Sequence, residues 1–398
     1  MNARRIETPE ELAELARQVE GAPVVALDTE FHNERSYAAR LMVVQLVVGD
    51  QVALVDPLRV PDLQPLADAL ATTTIVGHAL QSDLKIFADR FERLPSRAFD
   101  TQLAAAFLGY GMSISLADLV HDLVGVRLRK SQTVSDWSAR PLSPHQIDYL
   151  VDDVVHLLPM RDALLARLRE RGRERWFEED ARSLVDPERY RPDPERLYLR
   201  IPGAARMNRR ELGILRELAG LRDELARDRD VPVKYIVPDD VMAGLVHLRP
   251  KSREELVQLR RLDGGARKNF GDRIVAAVAR GLSLDDTELP RKPPRSAGHE
   301  RESIAACLSV LAGSIAAANE LPVGLLVSRA ALERVARELP STPEAVAATL
   351  DVSDWRAELV AGPLHDLLAG HASLSIVGAA DGRPRVEATL HDDAAAPR

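Results

Sequence analysis

Val24-Val25-Ala26-Leu27-Asp28-Thr29-Glu30-Phe31 is an apolar run that ends in two carboxylates one residue apart. Such a run reads as a buried strand whose last side chains emerge at a sheet edge. Residues i and i+2 of a strand share a face, so Asp28 and Glu30 can converge on one point. The apolar residues before them argue against a solvated strand end. A buried, unpaired carboxylate is costly unless it meets a cation.

Two later stretches bring more acids. Gly77-His78-Ala79-Leu80-Gln81-Ser82-Asp83-Leu84 reads as a strand passing into a helix. Asp83 falls in the first turn, where the helix dipole also favours an acid. In Asp148-Tyr149-Leu150-Val151-Asp152-Asp153-Val154, Tyr149 and Asp153 stand four residues apart and share a helix face. Asp152 is rotated about 100° away from them. Four acids in one cleft repel each other strongly unless divalent cations neutralise them, which is the layout of a two-metal phosphodiester hydrolase.

Asp-x-Glu, then Asp83, then Tyr-x-x-x-Asp resemble, in order, the three motifs of the DEDD exonucleases that carry a tyrosine in the third. Asp100-Thr101-Gln102-Leu103-Ala104-Ala105 and Lys130-Ser131-Gln132-Thr133-Val134-Ser135-Asp136-Trp137-Ser138-Ala139-Arg140-Pro141-Leu142 are similar to signature segments of the ribonuclease D family. The likeness covers residues 1–290 well and the remainder loosely. Each motif alone is weak, and the ordered set is strong. The resemblance implies a ribonuclease H-like α/β exonuclease domain, a mixed sheet flanked by helices, followed by two all-α HRDC-like domains. It also implies a 3′→5′ exoribonuclease acting on RNA 3′ ends, with tRNA precursors or other structured RNA as substrates.

On that reading Asp28, Glu30, Asp83 and Asp153 would hold two divalent ions, and hard oxygen donors favour Mg²⁺ or Mn²⁺ over zinc. The ions would activate the attacking water and stabilise the departing 3′-oxygen. Tyr149 would orient the water; as a proton acceptor it is poor unless its pKa is shifted. His78 is expected to support the backbone. A sister mechanism with a histidine base needs His at position 148, which is Asp. The rival readings are a DNA exonuclease of the same superfamily and a degenerate nuclease that only binds RNA.

For substrate grip, Phe31, Tyr37 and Trp137 are candidates to stack on bases, with core burial the competing explanation. Arg127, Arg129, Lys130 and Arg140 precede the third motif as possible phosphate contacts. Arg260, Arg261, Arg267 and Lys268 offer the same further on.

The chain has 398 residues, enough for two or three domains, with 45% apolar residues and a net charge of −8. The charge is uneven. Residues 207–282 carry 16 Lys and Arg against 12 Asp and Glu, whereas residues 301–398 carry 8 against 13. The basic excess sits mid-chain, where a phosphate-binding surface needs it. Cys307 alone excludes an internal disulfide or a cysteine zinc site. No apolar stretch is expected to cross a bilayer, and no leader segment is apparent. A cytoplasmic protein is the expectation.

Thr8-Pro9-Glu10-Glu11 is a capping box that opens a helix running to Gly21. Strands are expected at 24–28, 41–48, 51–56 and 74–77, and helices at 63–70, 79–90 and over much of 101–171. The expected organisation is an exonuclease domain over 1–190, a connector at 191–206, an HRDC domain at 207–284 and a linker at 285–300. A second HRDC-like helical domain at 301–380 and a frayed tail at 381–398 complete it.

Overall fold

The computed structural model describes residues 3–128, 136–191, 193–292, 299–352, 354–378 and 385–391. Six strands form the first sheet: β1 (Arg4–Ile6), β2 (Val24–His32), β3 (Arg40–Val48), β4 (Gln51–Val55), β5 (Thr74–Gly77) and β6 (Arg97–Asp100). Their order is β1-β4-β3-β2-β5-β6. β2, β3 and β4 pair antiparallel, whereas β1 joins β4, β5 joins β2 and β6 joins β5 in parallel. The sheet is therefore mixed, as expected. The three- and four-residue edge strands β1 and β6 were not anticipated, because runs that short carry almost no periodic signal.

Alternate residues of the central strands feed two different cores. Val25, Leu27, Val44, Leu46 and Ile75 pack under α1 (Pro9–Glu20), α2 (Gln64–Leu70) and α3 (Gln81–Phe91). Ala26, Val43, Val47, Leu54, Val76 and Phe99 face the other way. They are covered by α4 (Thr101–Ala106), α5 (Leu116–Val124), α6 (Pro144–Val155), α7 (Leu157–Glu170) and α8 (Glu174–Arg182). Burial on both faces is why β2 and β3 read as continuous apolar runs.

The connector divides between two cores. Leu184 and Tyr190 pack on the sheet domain, while Tyr198, Ile201, Ala204 and Met207 belong to the helical core that follows. That core holds α9 (Arg209–Asp228), α10 (Val233–Ile236), α11 (Asp239–Leu248) and α12 (Gly264–Ser283). Leu212, Leu215, Leu218 and Leu221 recur at three-residue spacing along α9 and are buried. α9 and α12 touch at Gly281, where an added Cβ would fall 2.8 Å from the Ile214 backbone nitrogen.

The last helices are α13 (His299–Ala318), α14 (Val323–Leu326), α15 (Arg329–Glu338), α16 (Pro343–Leu350) and α17 (Asp354–Ala369). They share a core with the sheet domain rather than forming a detached unit. Trp355 stacks on Trp176 at 4.8 Å and meets the edge of Phe107 at 5.4 Å. Arg356 grips Asp180 with both terminal nitrogens, and Arg173 donates to Phe107 O at 2.7 Å and Asn319 O at 2.6 Å. Deleting one member of an ion pair as enclosed as Arg356–Asp180 costs about 3–5 kcal/mol.

Two expectations need correction here. The all-helical reading of the C-terminal region holds to Ala369, after which β7 (Ala372–Val377) and β8 (Arg385–Leu390) form an antiparallel hairpin. Part of the supposed tail is thus ordered, because Val386, Ala388 and Leu390 alternate with polar residues as a strand requires. In addition, α13 is long and apolar enough to span a bilayer by length and composition, contrary to the sequence reading. Its alanines give that composition, and here Leu308, Leu311, Ala312 and Ala316 face the helical core.

Gly281→Ala should destabilise the α9–α12 unit by about 1–3 kcal/mol, since its contacts are backbone and cannot swing aside. Calorimetry of the full chain would show that transition moving to lower temperature.

Candidate active site

β2 delivers Asp28 and Glu30 to the sheet face covered by α6, and a register irregularity follows at Glu30/Phe31. α6 begins with a Ser143–Gln146 capping box and Pro144 at its first position, so its start is set locally. Leu150, Val151 and Val154 lock the helix into the core. The neighbouring stripe, Tyr149 and Asp153, is thereby held against β2. Carboxyl oxygens of Asp28, Glu30 and Asp153 all lie within 4.8 Å of one another.

Asp83 stands beside this trio rather than inside it. It enters from the first turn of α3, where its carboxylate is gripped by the Thr29 hydroxyl. The turn before α3 is tight: Ala79 has φ 58°, a left-handed conformation rare outside glycine. Asp100 holds that turn by accepting from Ala79 N at 3.1 Å and Leu80 N at 2.9 Å, while also capping α4. His78 spans Thr101 Oγ1 at 2.9 Å and Ile114 O at 3.0 Å, so it braces the backbone as expected.

The electrostatics follow from this crowding. Burial, then the charges of Asp83, Asp153 and Glu30, push the Asp28 carboxyl well above its ordinary range. Burial, then Asp153 and Asp83, raises Glu30 to about 7. Burial raises Asp153 to about 7 despite a hydrogen bond from Tyr149, and burial raises Asp83 to about 6 against the pull of Thr29. Burial and the surrounding carboxylates drive the Tyr149 phenol far up, so it stays protonated at neutral pH. Asp152, one position off the Tyr149–Asp153 stripe, acts on Asp153 as a nearby like charge.

All donors in this cluster are hard oxygens, and without a counter-cation the cluster can be neutral only by taking up protons. Such a donor set fits divalent metal ions.

The expected substrate contacts fare differently. Arg140 is no phosphate ligand: it donates to both Asp56 oxygens at 2.6 and 2.8 Å and to Met42 O at 2.7 Å and Trp137 O at 2.8 Å. Trp137 is a core residue, 6% exposed, with its ring 5.7 Å from that of Tyr149. Phe31 is half-buried against the core on the other side of the sheet. Tyr37 is held by the HRDC-like unit, where its hydroxyl donates to Asp223 at 2.8 Å and its backbone N–H to Asp230 at 3.1 Å. Long-range burial of this kind leaves no mark in local sequence. Arg267 and Lys268 lie in the first turns of α12, Lys268 exposed and Arg267 half-buried. Arg129 and Lys130 fall outside the described residues. Thr29 and Asp100 were missed as site supports. For Asp100 a signal existed, since Asp directly before Thr101 is a favourable N-cap.

A family model described as a 3′-5′ exonuclease matches residues 3–169, and one for the HRDC domain matches residues 211–278. A ribonuclease D from Acidiphilium cryptum is 36% identical over 382 residues, spanning 94% of this chain and 95% of its own. One from Granulibacter bethesdensis is 34% identical over 375 residues, spanning 93% of each. The chain belongs to the ribonuclease D family. The crystal structure of Escherichia coli RNase D, described as an exoribonuclease involved in structured RNA processing, matches with TM-score 0.81 at 30% identity. It covers 93% of this chain and 100% of its own. Membership of the ribonuclease D family makes the chain a metal-dependent 3′→5′ exoribonuclease, and the DNA exonuclease and degenerate-binder readings give way to it.

Each raised carboxyl titrates near 4 in the unfolded chain, by the ordinary values of about 3.9 and 4.3, and higher here. The folded protein therefore holds more protons between about pH 4 and 7, where stability falls as pH rises. Without divalent cations the protein should melt at lower temperature at pH 8 than at pH 5, and an added divalent cation should raise the midpoint more at pH 8. A cation-free midpoint that climbs across this range would contradict the cluster's electrostatics.

Proposed function

We propose that this chain trims structured RNA, such as tRNA precursors, one nucleotide at a time from the 3′ end, using Mg²⁺ or Mn²⁺ held by Asp28, Glu30 and Asp153 with Asp83 in support. The observation that carries this reading is the convergence of three carboxylates within 4.8 Å beside Tyr149. Bound divalent ions supply positive charge that offsets the carboxylates, acidifies an attacking water and stabilises a leaving 3′-oxygen.

The chain's own residues do the rest. β2 holds Asp28 and Glu30 on one face, so both are presented without rearrangement. α6 supplies Asp153 from the opposite wall. Tyr149, protonated and bonded to Asp153, donates rather than accepts, and its part is to orient the attacking water. Thr29 fixes the Asp83 carboxylate beside the trio.

Substrate choice is supported by the relative's description and by the mid-chain basic excess, with Arg267 and Lys268 offering phosphate contacts that salt would weaken.

Asp28→Asn or Asp153→Asn should lower kcat about 10³-fold or more, the several kcal/mol that charge stabilisation at such a site supplies, while the fold persists. Tyr149→Phe should lower kcat with little change in KM and keep the acid limb of the pH profile, since that limb belongs to the carboxylates. Wild-type rates in either carboxylate variant refute the assignment. A digest of 5′-labelled structured RNA should give a ladder shortening from the 3′ end, abolished by EDTA and restored by Mg²⁺ or Mn²⁺. Equal degradation of a matched DNA strand would overturn the RNA preference.

A further inference from the structure

β3 runs Arg40-Leu41-Met42-Val43-Val44-Gln45-Leu46-Val47-Val48, and Gln45 is the one polar residue inside an otherwise apolar stretch. It is 0% exposed, and among the described residues neither its amide nitrogen nor its amide oxygen finds a hydrogen-bond partner. A buried amide without partners costs about 1–3 kcal/mol, and native proteins rarely leave both ends unsatisfied. Packing alone does not explain the residue, because an apolar side chain of the same length would fill the space without that cost.

The register shows what lies beside it. Gln45 pairs across the β2–β3 ladder with Asp28 and across the β3–β4 ladder with Leu54. Directly opposed residues project to the same face with Cβ atoms about 4.5–5.5 Å apart, and diagonal neighbours are about 7–8 Å away. On β2 those diagonals are Ala26 and Glu30. Along β3 the same-face neighbours are Val43 and Val47, both in the core beneath α6. Across β2, then, the polar neighbours of Gln45 are Asp28 and Glu30, with Asp28 the nearer; on the β4 side the diagonal carboxylate, Asp56, is taken up by Arg140. An amide has two N–H donors, and an ionised carboxylate is the acceptor that binds them most strongly.

We propose that Gln45 is a positioning residue for the active site: its carboxamide donates to Asp28 through one bridging water and holds that carboxylate in its cation-binding orientation. The inference rests on the reading of Asp28 as a metal ligand. Gln45 touches neither the substrate nor the reacting atoms; it acts through Asp28, as the outer partners of metal ligands commonly do. Burial in the middle of the sheet keeps the Gln45 side chain beside Asp28.

The test is calorimetric titration of the full-length, cation-free protein with Mn²⁺ alone, for wild type, Gln45→Met, Gln45→Leu and Asp28→Asn, with the melting temperature of each cation-free protein measured alongside. Gln45→Met keeps the length of the side chain and removes only the amide. We expect both Gln45 variants to melt no lower than wild type, since an unsatisfied polar group is gone, yet to bind Mn²⁺ about 10–100-fold more weakly. Unchanged Mn²⁺ affinity in Gln45→Met together with lost affinity in Asp28→Asn overturns the inference alone. So does a lowered melting temperature with wild-type affinity, which marks Gln45 as structural. Wild-type affinity in Asp28→Asn overturns the metal-site reading, and the inference falls with it.

Discussion

Like charges held together against their own repulsion are the constraint on which the rest of this structure depends. Asp28 and Glu30 cannot move apart, because β2 is pinned by β3 on one side, β5 on the other and apolar cores above and below. Asp153 cannot retreat, because Leu150, Val151 and Val154 anchor α6 in the same core. The protein therefore spends packing energy to keep carboxylates closer than water would allow, and the site is relaxed only when protons or cations are bound. The raised pKa values of its carboxyls reflect burial first and, for Asp28 and Glu30, the neighbouring carboxylates second.

Around the trio, polar groups divide into those that hold shape and those that carry charge. Thr29, Asp100 and His78 fasten the entry of α3, so Asp83 arrives at a fixed place. Arg140 spends its guanidinium on Asp56 and on backbone carbonyls, tying the segment before α6 to β3 and β4. Trp137 then backs the Tyr149 ring. Trp137 and Arg140, two of the residues that first suggest RNA contact, are thus part of the scaffold behind Tyr149.

The helical units engage the sheet domain in different ways. The last helices merge with it through Trp355, Trp176 and the Arg356–Asp180 pair, and serve as part of its foundation. The HRDC domain grips the segment between β2 and β3 through Tyr37, whose ring also lies 5.6 Å from the Arg227 guanidinium. That segment directly follows the Asp28–Glu30 strand.

Periodicity and local chemistry made much of this legible in the chain itself. The Thr8 and Ser143 capping boxes, the buried runs of β2 and β3, the Leu212–Leu221 stripe and the i, i+4 spacing of Tyr149 and Asp153 all act within a few residues, so sequence alone determined them. The ordered motifs also singled out the acids that the fold brings together, Asp28, Glu30 and Asp153. Tertiary structure alone decided which aromatics and arginines face solvent, that Asp83 sits beside the trio, that the last helices share the nuclease core, and that Gln45 lies opposite Asp28. Those outcomes depend on strand register and on contacts between residues far apart in the chain, which no local pattern encodes.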